Sequence, residues 1–325
     1  VGGKSEIVCV GRVYADIILA GLDDLPTLGR EVYAKDVAVT PGGGAAISAA
    51  FLANLGRTVE LACALGSDPI SSATVQQLRA IGADLNLLER FQGGPQITVA
   101  LPLNGDRALI TNRAGPAVPD GLSAHLRKGN VRHLHIAELA TLLEAQWLLS
   151  LSRECGITVS LDVAWDQAAF RDPHALEISK SVDILFPNVD EAAALAGVCD
   201  STVEVLLREL AAGGACVALK RGGEGASLFD GHRTIHSNAP DVQVVDTTGA
   251  GDAFAAGFID AWLDDRSPEE CLARACACGA FAVKNFGGTL VLPTRQTIVD
   301  MEANVRTHVV RSSHPGLMRN EAASS

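Results

Sequence analysis

Asp246 and Asp252 bracket Thr247-Thr248-Gly249-Ala250-Gly251, and residues of these types at this spacing suit the transfer of a phosphoryl group. Gly249 and Gly251 let the backbone turn sharply. The apolar run that starts there reads as a helix, whose first amides lack intrahelical partners and carry roughly +0.5 charge between them. That is a place for an anion. Asp252 falls in the first turn, where a carboxylate can accept the proton of an attacking hydroxyl. The same residues also fit a plain helix start, with Thr248 as cap, the glycines as a turn and Asp252 complementing the dipole.

Four other segments have chemical potential. Pro41-Gly42-Gly43-Gly44-Ala45-Ala46 opens an alanine-rich run that closes at Leu55-Gly56; the glycines admit a ligand close to the backbone, and Ala46, Ala49, Ala50 and Ala53 allow tight helix packing. Gly11-Arg12-Val13-Tyr14-Ala15-Asp16 follows the first apolar strand. Tyr14 offers a ring for stacking on a sugar or base, or for packing. Pro187-Asn188-Val189-Asp190-Glu191 ends a buried strand and begins a helix, at the edge where open α/β sheets gather ligands. Asn188 as cap and Glu191 at the third helical position explain it equally as a capping box. Lys220-Arg221-Gly222-Gly223-Glu224-Gly225 links two apolar strands and would by itself be a hairpin turn.

In this order and at these intervals, the five segments resemble the ribokinase (phosphofructokinase-B) family of carbohydrate kinases over nearly the whole chain. The segment 246–254, followed by Ala256-Gly257-Phe258, is similar to the family's C-terminal signature, and the glycine run from Pro41 to its N-terminal one. The resemblance implies that Asp252 is the catalytic base and that the amides of Gly249, Ala250 and Gly251 form an anion hole. It implies that Asp16, Gly42, Gly43 and Tyr14 bind the substrate. Asn188 and Glu191 are implied to organise Mg²⁺, and Lys220, Gly222 and Gly225 to approach ATP. Asp246, Thr248 and Gly287 match positions where related kinases bind a monovalent cation such as K⁺. The pattern departs from the family at Tyr14, where Asn is common, and at Ile47, also usually Asn, which removes a polar substrate contact. Asp162 ends a strand that could face the phosphates, but Val163-Ala164-Trp165 does not reproduce the family sequence.

The expected activity is therefore ATP-dependent phosphorylation of a sugar hydroxyl. A nucleoside kinase of the same family is the alternative that Tyr14 and Ile47 favour, and a non-catalytic sugar sensor the alternative of another class. Arg12, Arg107 and Arg113 are the residues that could receive a phosphorylated sugar. Gly3-Lys4-Ser5 has no glycine-rich loop before it and is set aside as a P-loop. His133 and His135 share a strand face with no third ligand in sight, and Cys271, Cys276 and Cys278 lie in an apolar helix, so all five read as structural.

Positioning these groups requires a regular scaffold. Strand-like runs at 6–10, 59–64, 131–136, 158–163, 184–186 and 216–220 alternate with helix-like runs at 44–55, 71–81, 142–153, 191–196 and 203–212. That beat predicts a parallel sheet covered by helices on both faces, and the resemblance implies that it is the ribokinase-like three-layer α/β/α sandwich. Residues 16–40 and 96–113 break it with apolar–polar alternation and turns such as Asn104-Gly105-Asp106, predicting antiparallel strands that join as a small β lid. Helices are expected at 250–262, 268–284 and 293–305. The kinase domain is expected over 1–310, with a flexible tail from 311 to 325.

Composition agrees with this scaffold. Hydrophobic residues make up 48% of the chain, ample for a large core. With 26 basic and 38 acidic side chains the formal charge is −12, which repels nucleic acid and anionic membrane, so a phosphate must be held by local groups. Eight cysteines placed mostly in apolar runs predict a reduced, cytoplasmic protein. The family resemblance, in which lids cover one site or pair with a neighbour's, implies a homodimer.

Overall fold

The computed structural model describes residues 6–103, 106–198 and 201–310; Gly3-Lys4-Ser5, the Asn104-Gly105 turn and the 311–325 tail lie outside them. Fourteen strands run, in chain order, β1 (Ile7–Val10), β2 (Tyr14–Ala20), β3 (Asp36–Gly42), β4 (Val59–Gly66), β5 (Leu88–Phe91), β6 (Ile97–Leu103), β7 (Asp106–Asn112), β8 (His133–Ile136), β9 (Thr158–Asp162), β10 (Ile184–Phe186), β11 (Cys216–Lys220), β12 (Ala226–Phe229), β13 (Thr234–Ser237) and β14 (Thr307–Val310). The helices are α1 (Gly44–Asn54), α2 (Pro69–Ala80), α3 (Leu122–Leu126), α4 (Leu139–Glu144), α5 (Trp147–Cys155), α6 (Gln167–Phe170), α7 (Ala175–Ser179), α8 (Val189–Ala196), α9 (Val203–Leu210), α10 (Ala250–Leu263), α11 (Pro268–Val283) and α12 (Arg295–Glu302).

Ten strands form one sheet in the order β14-β13-β12-β11-β10-β9-β8-β1-β4-β5. Successive side chains of a strand point to opposite faces, and β1 shows the result: Ile7 and Cys9 enter one core, with α1, α10 and α11, while Val8 and Val10 enter the other, with α3, α5 and α9. Pairing is parallel from β5 across to β11. The expected parallel sheet stops there: β12, β13 and β14 are antiparallel. The links from β11 to β12 and from β12 to β13 are too short for a crossover, so they close as hairpins.

The second sheet, β3-β2-β6-β7, draws its strands from both segments that break the α/β beat. Within each segment the pairing is antiparallel, but β2 and β6, which join the two, run parallel. Its two faces differ. Thr40, Asp16, Thr98 and Thr111 form one cross-strand row; Val39, Ile17, Val99 and Ile110, one residue along, form the row on the opposite face.

Two helices depart from expectation. The run 142–153 is split at Ala145 (φ −130°, ψ 54°) into α4 and α5. Leu139, Leu142, Ala145, Leu148 and Leu151 are all buried. Their spacing of three drifts round a straight helix of 3.6 residues per turn, and the break keeps them on one side. The last predicted helix is shorter, α12, and is followed by β14, too short to show a strand period.

Candidate active site

The glycine run at the C-terminal edge of the sheet brings two helix starts together. Gly249 (φ 75°) lies in the left-handed region, open to glycine at no steric penalty, and turns the chain into α10. Gly43 (φ 90°) does the same before α1. A side chain at Gly44 would begin 2.6 Å from Asp252 Oδ1, so the Asp252 carboxylate lies directly against the first residue of α1. Ser48 fixes the approach by donating to Asp252 O at 3.1 Å. The Ala250 amide turns back to Thr247 O at 3.3 Å, leaving those of Gly251 and Asp252 as first-turn donors without an intrahelical acceptor.

Asp16, on the inner row of the small sheet, is 7% exposed and lies so close to Gly42 that any side chain there would collide with its carboxylate. Burial, with the charge of Asp252 beside it, pushes Asp16 up to about 7, against a hydrogen bond from Thr98. Asp252 is likewise pushed up to about 7, by burial and then by Asp162, with Lys220 and Arg107 opposing. Both carboxylates, placed against Gly42 and Gly44 of one glycine run, are thus held back from ionising, Asp16 in part by the charge of Asp252.

Lys220 sits on the other side of Gly251, where a side chain would meet its Nζ at 3.1 Å. That Nζ donates to Asp162 Oδ1 and Oδ2 at 2.7 and 3.0 Å. Burial opposes the charge, but Asp162 and Glu191 hold the ammonium above its ordinary value. Glu191, 4% exposed, completes a capping box with Asn188, each backbone amide meeting the other's side chain at 2.8 Å. Burial and Asp162 raise its carboxyl, against Lys220. The capping-box reading is therefore present in fact, at a position that also faces the site. Asn188 bridges to Lys220 in the sheet, and Gly222 and Gly225 follow in a turn closed by Arg221 N to Gly225 O at 2.8 Å.

Asp246 is buried. Its Oδ1 accepts from Thr248 N and Oγ1 at 2.9 and 2.8 Å, and its Oδ2 from Gly287 N at 2.9 Å. The three residues matched to a cation site are thus bonded to one another and hold the turn before α10 in place.

Some assignments shift. Ile47 packs in the core, with Gly249 and Gly288 lying against it; it seats the α10 turn. Tyr14 is 7% exposed, with the Arg113 charge acting on it and its ring against Gly43. Arg113 also pairs with Asp166 at 2.7 Å and Arg12 with Glu144 at 2.9 Å, so both guanidiniums are engaged at the rim. His133 and His135 bond the β9 hydroxyls of Thr158 and Ser160 at 2.7–2.9 Å and are pushed by burial to about 3, neutral and structural. Cys271, Cys276 and Cys278 are buried free thiols. Asp162, which the sequence placed at a strand end that could face the phosphates but to which it assigned no role, is the carboxylate that pairs with Lys220.

Residues 4–295 match the model of the pfkB family carbohydrate kinases. A ribokinase of Arabidopsis thaliana is 30% identical, over 91% of this chain and 80% of its own length. An ATP-dependent ribose-1-phosphate kinase of Halopiger xanaduensis is 30% identical, over 87% and 93%. The solved structure of Arabidopsis thaliana ribokinase with ribose and ATP superposes with a TM-score of 0.78 at 27% identity, covering 92% of this chain and 99% of that one. The architecture is the ribokinase-like α/β sandwich.

Proposed function

This chain belongs to the pfkB family of carbohydrate kinases and is a phosphotransferase, and on that premise we propose that it moves the γ-phosphate of ATP to a hydroxyl of a small sugar. The observation that carries the reading is the placement of Asp252: a carboxylate with a raised pKa, in the first turn of α10, against α1 and across from Asp16. Asp16 and the Gly42–Gly43 backbone orient the acceptor. Asp252 takes the hydroxyl proton as the acceptor oxygen bonds to phosphorus. The α10 amides stabilise the phosphoryl charge without reorganising. Lys220, Gly222 and Gly225 border the nucleotide.

Among the described residues no three carboxylate, histidine or cysteine groups cluster to hold a metal ion unaided, so a divalent cation here would take its other ligands from the phosphates. Asp162, Glu191 and Asp252 all act on the single ammonium of Lys220, so that corner carries surplus negative charge and hard oxygen ligands. Glu191 and Asn188 would hold Mg²⁺, whose charge would offset that of the phosphates. A monovalent cation beside Asp246, Thr248 and Gly287 belongs to the same reading; with the Asp246 carboxylate already accepting three hydrogen bonds, main-chain oxygens are its remaining ligands. A K⁺-for-Na⁺ exchange tests it.

Sugar is preferred over nucleoside because Tyr14 and Ile47, which pointed to a base, are both taken up by packing. The small sheet serves as the lid. Its outer row leaves Val39 and Ile110 49% and 65% exposed, with Val37 beside them at 59%, and a second copy of the chain is its proposed cover. Asp252→Asn should lower kcat by at least ~10²-fold with ATP affinity nearly unchanged. Near-normal turnover of that variant across a sugar and nucleoside panel would remove Asp252 from the mechanism.

A further inference from the structure

The last two strands of the large sheet set two imidazoles against each other. His236 on β13 and His308 on β14 are directly opposite in the antiparallel register, their ring centres 5.4 Å apart. Ile235 enters the core beside α11, so the neighbouring His236 points to the other face. There both rings line a cavity of about 470 Å³, with Val203 and Glu204 of α9 and Arg221 and Glu224 of the turn after β11. Ser227 of β12, opposite His236, meets its Nδ1 at 2.7 Å and accepts from Arg221 Nη1 at 3.4 Å.

That turn, Lys220–Gly225, borders the nucleotide in the kinase reading above, on which this inference rests for the identity of the ligand. The ends of β13 and β14 support it. A side chain at Gly225 would collide with Ser237 O and begin 2.6 Å from Ala239 N, so the turn lies directly on the end of β13. That end is tied to β14: Asn238 N donates to Arg306 O at 3.2 Å, Arg306 N to Asn238 Oδ1 at 2.6 Å, and the Ser237 and Thr307 hydroxyls meet at 2.7 Å. Among the described residues β14 is the edge of the sheet, so its strand pairing rests on β13.

The surrounding charges decide what acid does to this pair. Arg221 is already matched by Glu224, which leaves Glu204 as the acidic group favouring a proton on His236. Burial first, then the charges of His308 and Arg221, hold that ring below the ordinary histidine value. His308 also borders a second cavity with Asp241, Lys284 and Arg306. Two charged imidazoles would therefore stand opposite each other with no surplus of carboxylates around them, and like charges directly opposite weaken strand pairing. A folded pKa below the unfolded value near 6.5 means that the native state binds this proton less well. The contribution to stability is thus present at neutral pH and is lost as pH falls below that value. We propose that His236 and His308 form a proton-sensitive clasp on the nucleotide turn: neutral, they let β14 hold the end of β13 in place, and doubly charged, they loosen it and weaken nucleotide binding.

Two measurements on the full chain, neither of which requires an acceptor, test this. Hydrogen exchange, corrected for the intrinsic effect of pH, should show residues 225–239 and 306–310 losing protection between pH 7.5 and pH 5.5 while β1 and β4 keep theirs. By calorimetry, Mg–ADP affinity should fall over the same interval by about 1.5- to 5-fold more in wild type than in His308→Gln, the size of one cross-strand charge pair; the variant shares any protonation of the nucleotide itself. His308→Glu should reverse the exchange response, because acid then creates a pair of opposite charges. Equal pH responses in wild type and both variants overturn the proposal, as does a loss of protection spread evenly over the large sheet. A wild type that binds no ADP at pH 7.5 defeats the kinase reading itself, while the exchange pattern still decides for or against the clasp.

Discussion

Burial raises both Asp16 and Asp252, and the charge of Asp252 adds to the rise of Asp16, which sets how the site responds to pH. A base must be ionised to accept a proton, and burial with Asp162 raises Asp252 to about 7. kcat/KM should therefore fall as pH drops from 8 to 6, with the Asp252 ionisation as its acid limb; a rate flat over that range would show the group ionised throughout. Asp16 gives the complementary stability effect. Its folded pKa lies above the unfolded value near 3.9, so between the two the native state binds the proton more strongly and the charged carboxylate destabilises the fold as pH rises. Asp16→Asn should raise the melting temperature, by a gain that grows from pH 4 to pH 8 by calorimetry, while weakening acceptor binding more than nucleotide binding. A gain independent of pH would place its origin elsewhere. Both aspartates were singled out through the family resemblance of their segments, since the local pattern at Asp252 fitted a plain helix start as well. The partner of Asp162 was not legible: it meets Lys220 only because β9 and β11 flank β10, and sheet order is written nowhere near either residue.

Helix contact is set by the same small residues that form the motifs. In α10, a side chain at Gly257 would begin 2.8 Å from Arg274 O and Cys278 Sγ of α11. Gly257→Val should therefore lower stability by about 1–3 kcal/mol or more through overpacking. A denaturation midpoint equal to wild type would mean that the helices separate freely. The sequence marked α1, α10 and α11 within a residue or two at each end, since caps and long apolar runs are local signals. It did not mark the break at Ala145, where no glycine or proline stands and only the fit of the flanking leucines to one core asks for it. Nor did it show that β2 and β6 run parallel, because that pairing joins two segments through the body of the protein.

On the scale of the molecule, the end remote from the site is tied by one carboxylate. Asp260 is fully buried and accepts from Arg57, Arg274 and Arg295 at 2.7, 2.7 and 2.9 Å, linking the β4 approach, α10, α11 and α12. Asp260→Ala should reduce unfolding free energy by about 1.5–3 kcal/mol, since Arg57 and Arg274 lose one carboxylate but keep Asp264 and Glu302; a loss under 1 kcal/mol would show that those partners suffice. The small sheet imposes a constraint of another kind. Asp16 and Ile17 are adjacent, and each belongs to a row that crosses all four strands, one polar toward the site and one apolar away from it. Gaining or losing one residue within β2 would exchange the rows, turning Asp16 outward and Ile17 into the acceptor space. Substitutions in these strands can retune either surface separately. Changes of length cannot, and they are confined to connectors such as residues 21–35, so this part of the chain can diverge in chemistry only while keeping count.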